Sequence, residues 1–362
     1  MMRILIILLS SLAFANLHAA CEDNVDKVQI FYINGMFTTS SAFESNKDAI
    51  QRFQNQYLSD FQSYSDVEGS YNFDESKFEQ ILEVTRQKIE DISNNNTNTF
   101  SLVIRKILNG DFKSISDLRK QFVIEYFADT AMFFVDSITE ESDYLTAKAE
   151  LSNLLQECPR VVLVTHSQGN FYGNALFNEM LARFTYPSGY RLSEYPMLGY
   201  MQIASPTNTP GGAAASIYPD LVGHITNDTD IAMFGVRQVI GSVPANYNSP
   251  VNENDFTGHG LESSYLAPTG QATNIAGQID GIIRKMRPYP LHPQANTSSS
   301  ALAGIGHSSI SSALDIQFQS GAVYRYSGVP EAIFFGLLGA ASQGGYFNEH
   351  VRNVYATEKL LD

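Results

Sequence analysis

The sequence predicts an α/β fold with a mostly parallel sheet, followed by a small C-terminal α+β module. Three observations lead to this prediction. Apolar runs at Val28–Ile33 and Val161–Val164 are typical of parallel strands that are buried on both faces. Segments with helical periodicity alternate with these runs, as in a parallel sheet. Beyond a proline-rich stretch at 287–293, short strand-like segments follow one another as in a meander.

Residues 1–20 are predicted to form a signal peptide. Arg3 precedes an apolar stretch over Ile4–Ala15 that is too short to span a bilayer comfortably, and small residues end the segment before Cys21. The alternatives are a retained N-terminal anchor and lipidation of Cys21, although His18 stands where a lipoprotein signal has an aliphatic residue. The prediction is a secreted or periplasmic protein.

Cys21 and Cys158 are the two cysteines of the chain and are predicted to form a disulfide. An exported protein matures in an oxidising compartment, where cysteines pair. Each cysteine lies just before a predicted strand, so both lie at the same edge of the sheet if those strands are parallel neighbours. Two free thiols, or a lipidated Cys21, are the alternatives.

Between the first two predicted strands, residues 38–157 are predicted to be largely helical. Helices are expected at Asp74–Ile92, Leu102–Leu108, Leu118–Ile138 and Tyr144–Gln156. The block is far longer than a normal crossover between neighbouring strands. It therefore indicates an inserted cap, or crossover helices with a cap.

The remaining predicted elements divide into two groups separated by the proline-rich stretch. The first group contains helices at Gly169–Phe184 and Gln271–Met286 and strands at Leu198–Ala204 and Leu221–Thr226. The second group contains strands at Ala301–Gly306, Leu314–Phe318 and Val323–Tyr326 and a helix at Glu331–Ala341. The predicted domains are thus residues 21–287 and 299–358, joined by a linker at 288–298.

The formal net charge of −15 restricts the partners of this chain. Such a surface repels phosphate backbones, so nucleic acid is not expected as a main partner. The composition, with 44% hydrophobic and 17% charged residues, is that of an ordinary globular protein. Both properties fit an exported soluble protein.

The most informative segment is Val161–Asn170, where an apolar strand meets a turn of small residues and a helix follows at once. Ser167 lies at the apex of the turn. This order is typical of a nucleophile elbow, in which a sharp turn presents a serine hydroxyl beyond the end of a strand. The N-terminus of the following helix stabilises negative charge. An ordinary strand–helix junction is the alternative.

A serine nucleophile needs a base, and His259 is the predicted one. It follows Ser167 in the chain, and it lies in the loop Gly258–Gly260 before the last helix of the first domain. His166 adjoins the serine, but we expect the turn to direct its side chain elsewhere. His224 lies within a predicted strand, where a hydrogen-bonded core histidine is the simpler interpretation.

Asp230 is the predicted acid that orients the base, and Asp228 is the second choice. Both follow the strand predicted at Leu221–Thr226, so they lie at the same edge of the sheet as Ser167. Asp255 ranks third and is expected on the surface. Turn or helix-cap roles are the alternative for the first two aspartates.

An oxyanion hole is predicted from two backbone N–H groups. One is that of Gln168, directly after the nucleophile, and the other is that of Met36, in the loop after the first strand. Gly35 allows that loop to turn toward Ser167. A plain turn at the end of a strand is the alternative for the loop.

Four segments resemble the lipase and esterase branch of the α/β-hydrolase superfamily between Val28 and Met286. They are Tyr32–Met36, Thr165–Gly169, Asn227–Asp230 and Gly258–Tyr265. The chain differs from the family in Asn34, which replaces a frequent histidine, in Thr165, which replaces the elbow glycine, and in the long helical block. The resemblance implies a Ser-His-Asp triad that acts through an acyl-enzyme, without a metal or cofactor.

The C-terminal module resembles a KTSC domain, a family named for its occurrence at the C-terminus of lysyl-tRNA synthetases. The resemblance rests on Ser299–Gly306, Phe318–Pro330 and Ala341–Arg352, while His307 stands where the family tends to show tyrosine. RNA is a poor expectation for an acidic exported chain. The module is instead a candidate for binding a partner of unknown identity.

The leading hypothesis is therefore an exported serine hydrolase that cleaves carboxylic esters. The apolar region Phe122–Val135 suggests a lid over an acyl pocket and so raises lipids as substrates, although such a helix commonly just packs against the core. An amidase or peptidase with the same triad is one alternative. A non-catalytic binding protein on a hydrolase scaffold is the other, because fold alone does not establish activity.

Overall fold

The computed structural model describes residues 21, 23–35, 38–71, 142–240, 242–255, 257–291 and 295–361. Several predictions concern residues outside these ranges: the signal peptide at 1–20, the oxyanion donor Met36, and the helices at Asp74–Ile92, Leu102–Leu108 and Leu118–Ile138 with the apolar region Phe122–Val135. Among the described helices, none is both long and apolar enough to cross a membrane.

Six strands of the described residues form one parallel sheet, as the sequence predicts. They are β1 (Lys27–Ile33), β2 (Gln62–Ser63), β3 (Glu68–Ser70), β4 (Arg160–His166), β5 (Leu198–Ile203) and β6 (Val222–Ile225). β1, β4, β5 and β6 lie side by side in that order, and both β2 and β3 pair with the other edge of β1. All residues of β4 and β5 are buried, which explains their continuous apolar sequences.

The first domain has five described helices, of which three lie between these strands in the chain and two follow β6. They are α1 (Ser40–Tyr57), α2 (Ser142–Gln156), α3 (Gly169–Arg183), α4 (Ile231–Ile240) and α5 (Thr269–Lys285). Short 3-10 helices lie at Gly212–Ser216 and Pro219–Leu221, and a π-helical turn at Leu261–Leu266. The sequence did not predict α4.

The block at 38–157 is not helical throughout. α1 and α2 confirm helices within it, but β2 and β3 belong to the main sheet. These strands have two and three residues, too few to show a period-2 pattern. Their conformation comes from backbone pairing with β1, which local sequence does not reveal.

The C-terminal module is an antiparallel sheet with two helices, in agreement with the predicted α+β module. Its strands are β7 (Ala295–Asn296), β8 (Leu302–Ser308), β9 (Ala313–Phe318), β10 (Val323–Ser327) and β11 (Ala356–Leu361), and its helices are α6 (Glu331–Gly339) and α7 (Gln343–His350). The strand order is β11, β10, β9, β8, β7. The sequence did not predict β7, α7 or β11.

A fully buried arginine connects the module to the first domain. Arg160 opens β4, and its guanidinium donates to the carbonyls of Ile283 and Met286, at 3.1 and 2.9 Å. The same group donates to the hydroxyls of Ser308 and Ser311 in the module, at 3.0 and 2.7 Å. Burial of a charge is tolerated when its donors are paired in this way.

The segment predicted as a linker is packed rather than extended through solvent. Tyr289 and Leu291 are fully buried. Arg325 of the module donates to the carbonyl of Tyr289 at 3.1 Å, and Asp315 accepts from the backbone N–H of Leu291 at 2.7 Å. The proline-rich composition therefore marks a turn between two packed units.

The predicted disulfide joins Cys21 to Cys158, whose Cα atoms are 4.9 Å apart. Val28 of β1 pairs with Arg160 of β4, so the two cysteines precede neighbouring parallel strands. The disulfide closes a loop with a sequence separation of 137 residues. A cross-link over so long a loop restricts the unfolded chain strongly.

We predict that the double variant Cys21→Ser/Cys158→Ser loses roughly 2–5 kcal/mol of unfolding free energy, measured by urea denaturation. Reductant should destabilise the wild-type protein and leave the variant unchanged, which serves as the internal control. Mass spectrometry of the non-reduced wild-type protein should show the linked peptides. Two thiols that are freely alkylated in the folded protein would refute the pairing.

Candidate active site

Ser167 lies in a sharp turn between the end of β4 and the start of α3. Its φ is 56°, in the left-handed region that residues other than glycine seldom adopt. Its backbone N–H donates to the carbonyl of Ile203 at 3.1 Å, which continues the pairing of β4 with β5 to the turn itself. Such local strain requires support from the surrounding structure.

Two glycines allow the turn to pack directly against the end of β1. A Cβ atom on Gly169 would lie 2.6 Å from the carbonyl oxygen of Asn34, and one on Gly35 would lie 2.9 Å from the Cβ of Ser167. Real Cβ atoms do not come so close to other heavy atoms. The residues after β1 therefore lie beside Ser167, as the sequence predicts for Gly35.

Thr165 replaces the elbow glycine, and the structure shows how it fits. Its hydroxyl donates to Oδ1 of Asn170 at 2.6 Å and lies 3.1 Å from the hydroxyl of Tyr200. The space for its methyl group comes from Gly173 on α3, where a Cβ would lie 2.7 Å from that methyl carbon. Gly173 on the facing helix thus leaves the room that the side chain of Thr165 needs.

The side chain of Asn170 stabilises the turn through hydrogen bonds, a role that the sequence analysis did not predict. Its amide Nδ2 donates to the carbonyls of Ser167 and Ile203, at 2.7 and 3.0 Å. The side chain is fully buried, and its Oδ1 accepts from Thr165. The sequence does contain a signal for this role, namely a polar residue in the first turn of a helix that packs on a buried strand.

The structure brings Ser167, His259 and Asp230 together in one hydrogen-bonded series. Nε2 of His259 lies 2.9 Å from Oγ of Ser167, and Nδ1 of His259 lies 2.9 Å from Oδ2 of Asp230. Asp230 is fully buried, and the exposed fraction of Ser167 is 3%. Because a carboxylate only accepts, Nδ1 of His259 carries the proton, and Nε2 faces the serine.

Asp230 combines two roles that appeared as alternatives in the sequence. Oδ1 accepts the backbone N–H of Met233 at 2.9 Å and so caps α4. Oδ2 accepts the hydroxyl of Tyr265 at 2.8 Å in addition to its bond with His259. The prediction missed Tyr265, because a buried tyrosine in sequence does not reveal its partner.

The other two aspartates do not contact His259. Oδ1 of Asp228 accepts the backbone N–H of Ser249 at 2.8 Å, which is a loop-bracing contact. The expectation that Asp255 lies on the surface is wrong. Its exposed fraction is 6%, and Oδ2 accepts from the backbone N–H of Gly260 at 2.7 Å and from Ser264 Oγ at 2.6 Å. The burial follows from these hydrogen bonds, whose donors lie five and nine residues further along the chain.

The charge distribution raises the pKa of His259 above its usual 6.5. Burial alone would lower this pKa, but the negative charge of Asp230, its hydrogen bond and the charge of Asp255 outweigh burial. Hydrogen bonds from Ser264, Thr257 and Gly260 keep the pKa of Asp255 low despite burial, so Asp255 remains charged.

His166 does not point away from the site, contrary to our expectation. Its ring lies against that of His259, with 4.8 Å between ring centroids, and its Nε2 lies 2.8 Å from the backbone carbonyl of His259.

His224 lies within β6 and is half-buried, and burial lowers its pKa.

The predicted oxyanion donors are described in part. Gln168 directly precedes the first residue of α3, so its N–H belongs to a helix N-terminus, whose N–H groups have no acceptor within the helix. Met36 lies outside the described residues, although Gly35 contacts the turn. The side chain of Gln168 is buried, and its Oε1 accepts the hydroxyl of Ser167 at 2.6 Å. At rest, the serine hydroxyl therefore has two neighbouring acceptors, Gln168 and His259.

These features define an α/β protein in which a serine, a histidine and an aspartate meet at the carboxyl ends of a parallel sheet. Comparison with known proteins adds the identity of its C-terminal part. Residues 298–355 match the sequence profile of the KTSC domain. The C-terminal module of this chain therefore belongs to the KTSC domain family.

Two similar proteins cover the same module. An uncharacterized protein from Stutzerimonas stutzeri is 41% identical over 51 residues, which are 14% of this chain and 72% of that protein. The crystal structure of a KTSC domain protein from Yersinia pestis shows 31% sequence identity. It covers 18% of this chain and 92% of that chain, with a TM-score of 0.18.

We predict that Gly169→Ala destabilises the protein by about 1–3 kcal/mol, because the added methyl group meets the backbone at the end of β1. The matched control is Gly277→Ala in α5, where a Cβ would have no heavy atom within 4 Å. That change should stabilise the protein by about 0.5–1 kcal/mol. Urea denaturation measures both, and equal effects at the two positions would contradict the close packing described above.

A second prediction concerns the titration of His259, followed by NMR of its imidazole. The pKa should lie above 6.5 in the folded protein and should fall in Asp230→Asn, because the neutral amide removes the Asp230 charge that opposes the effect of burial. Asp228→Asn is the control and should leave it unchanged. Since folding raises this pKa, the resulting stability is fully present below pH 6.5 and is lost as the pH rises through the folded value. An unchanged pKa in Asp230→Asn would contradict the prediction.

Proposed function

We propose that this chain is a serine hydrolase of the α/β-hydrolase type that cleaves carboxylic esters. The observation that carries the proposal is the hydrogen-bonded series from Ser167 through His259 to Asp230, with 2.9 Å at each step. The left-handed turn at Ser167 and the helix N-terminus behind it support the same conclusion. So does His259 itself, because its raised pKa makes the imidazole a stronger base.

In the proposed reaction, Oγ of Ser167 attacks the acyl carbon while its proton passes to Nε2 of His259. The imidazolium formed is stabilised by Asp230, which keeps its charge. His259 then gives the proton to the oxygen of the leaving alcohol, and the acyl group stays on Ser167. In the second half, water attacks the acyl-enzyme and loses a proton to His259. The bond between the acyl carbon and Oγ of Ser167 then breaks, Oγ takes that proton from His259, and the carboxylic acid is released.

The proposed oxyanion donors are the backbone N–H groups of Gln168 and Met36, which would hold the developing charge in the space beside Ser167. The carboxamide of Gln168 also borders that space, because its Oε1 would lie 3.3 Å from a Cβ on Gly35. Binding of the acyl oxygen therefore requires the hydrogen bond between Ser167 and Gln168 to open, so that the serine proton faces His259 alone.

The proposal includes export to the periplasm or the medium, on the basis of the segment at 1–20. The disulfide between Cys21 and Cys158 supports it, because such bonds persist in oxidising compartments. Carboxylic esters, lipids among them, are the proposed substrates. A partner for the KTSC module is proposed as well, its chemistry being open. No metal or cofactor takes part in the proposed reaction.

The decisive experiment is labelling of the purified mature protein with a fluorophosphonate, followed by peptide mass spectrometry. We expect one adduct, at Ser167, and no adduct in Ser167→Ala. His259→Ala should label at least 100-fold more slowly, because the members of such a series act as a unit. Turnover of p-nitrophenyl esters and anilides of the same acids then separates an esterase from an amidase.

Wild-type protein that is folded by circular dichroism and yet carries no adduct would contradict the proposal. The alternative of a non-catalytic binding protein on the same scaffold would then stand. An adduct on a different serine would instead overturn the assignment of Ser167.

A further inference from the structure

His166 makes a contact that the reaction described above does not use. The exposed fraction of His166 is 8%, and its Nε2 lies 2.8 Å from the backbone carbonyl oxygen of His259. A carbonyl oxygen only accepts, so Nε2 of His166 carries a hydrogen and donates it. The residue before the nucleophile is thus hydrogen-bonded to the backbone of the residue that faces the nucleophile.

This donor is uncharged near neutral pH. Burial, which is the larger cause, and the neighbouring His259 lower the pKa of His166 to about 3, although the bond to the His259 carbonyl and the charge of Asp255 oppose them. A neutral imidazole beside His259 adds no positive charge to the site. It therefore does not oppose the protonation of His259 as a second cation would.

We infer that His166 is a positioning residue, which sets the distance between Ser167 and His259. The inference rests on the proposed function. His166 ends β4, a strand that is hydrogen-bonded on both sides, whereas His259 lies in a loop. The bond from His166 ties that loop to the strand from which the serine is presented. Its ring also packs on that of His259, with 4.8 Å between centroids.

Other hydrogen bonds also hold the loop: the backbone N–H of Ile231 donates to the carbonyl of Thr257 at 2.9 Å, and a further bond lies within the loop segment. Asp255 accepts the backbone N–H of Gly260 at 2.7 Å and so holds the residue after the base. Asp255 and Gly260 both belong to the segment that carries His259, so their bond shapes the loop internally. The bond from His166 relates the loop to the nucleophile. A displacement of about 1 Å between reacting groups can lower a rate by about 100-fold.

The test uses His166→Phe, which keeps an aromatic ring against His259 and removes the donor. We expect the kcat for a p-nitrophenyl ester to fall by about 30- to 100-fold, with KM changed less than threefold. The rate of fluorophosphonate labelling at Ser167 should fall in parallel, because labelling requires the same approach of Ser167 and His259.

The chain offers a matched control for the loss of a buried histidine. His307 in the KTSC module has an exposed fraction of 6%, its Nε2 lies 2.8 Å from the carbonyl of Val329, and its ring stacks on Phe334. His307→Phe removes the same kind of bond far along the chain from Ser167. It should lower stability comparably while kcat stays within twofold of wild type.

A second pair of variants applies if His166→Phe does not fold. His166→Gln and His166→Met have side chains of equal length, and only glutamine carries an N–H donor. We expect the glutamine variant to exceed the methionine variant in kcat by at least tenfold. Equal rates in this pair, or a kcat within threefold of wild type in His166→Phe, would overturn the inference. Failure of the wild-type protein itself to label or turn over would instead refute the proposed function.

Discussion

The close packing of the turn at Ser167 against the end of β1 is the constraint on which the rest of the site depends. Gly35 and Gly169 permit it, because neither has a Cβ that would meet the opposing backbone or Ser167. The packing holds the serine in its left-handed conformation and sets the loop after β1 beside it. Without this approach, the end of β1 would not reach the turn that carries Ser167.

Because Asp230 is buried, the hydrogen bonds that it accepts determine the geometry of the site. Asp230 has no contact with solvent, so its acceptor positions have to be filled by protein donors: the N–H of Met233, the hydroxyl of Tyr265 and Nδ1 of His259. With the carboxylate held by a helix cap and a tyrosine, the imidazole has one orientation available. Nε2 of His259 consequently faces Ser167, and burial strengthens the attraction that raises the pKa of His259.

The KTSC module is attached at the opposite end of the sheet from the serine. Arg160, which donates to Ser308 and Ser311, opens β4, and Ser167 follows the last residue of the same strand. Seven residues of strand separate the two points by roughly 20 Å. The contact through Arg160 therefore lies at the start of β4, whereas Ser167 lies beyond its carboxyl end.

The sequence by itself determined the parallel sheet, the turn at Ser167, the order of serine, aspartate and histidine, and the cysteine pair. Each is written in local pattern: apolar runs, small residues at a strand end, or glycines around a histidine. Tertiary structure alone decided the rest. Short edge strands such as β2, the buried Asp255, and the partners of Tyr265, Asn170 and His166 depend on segments distant in the chain. The sequence shows which hydrogen bonds a polar side chain can donate or accept, whereas the packed fold determines which group is its partner.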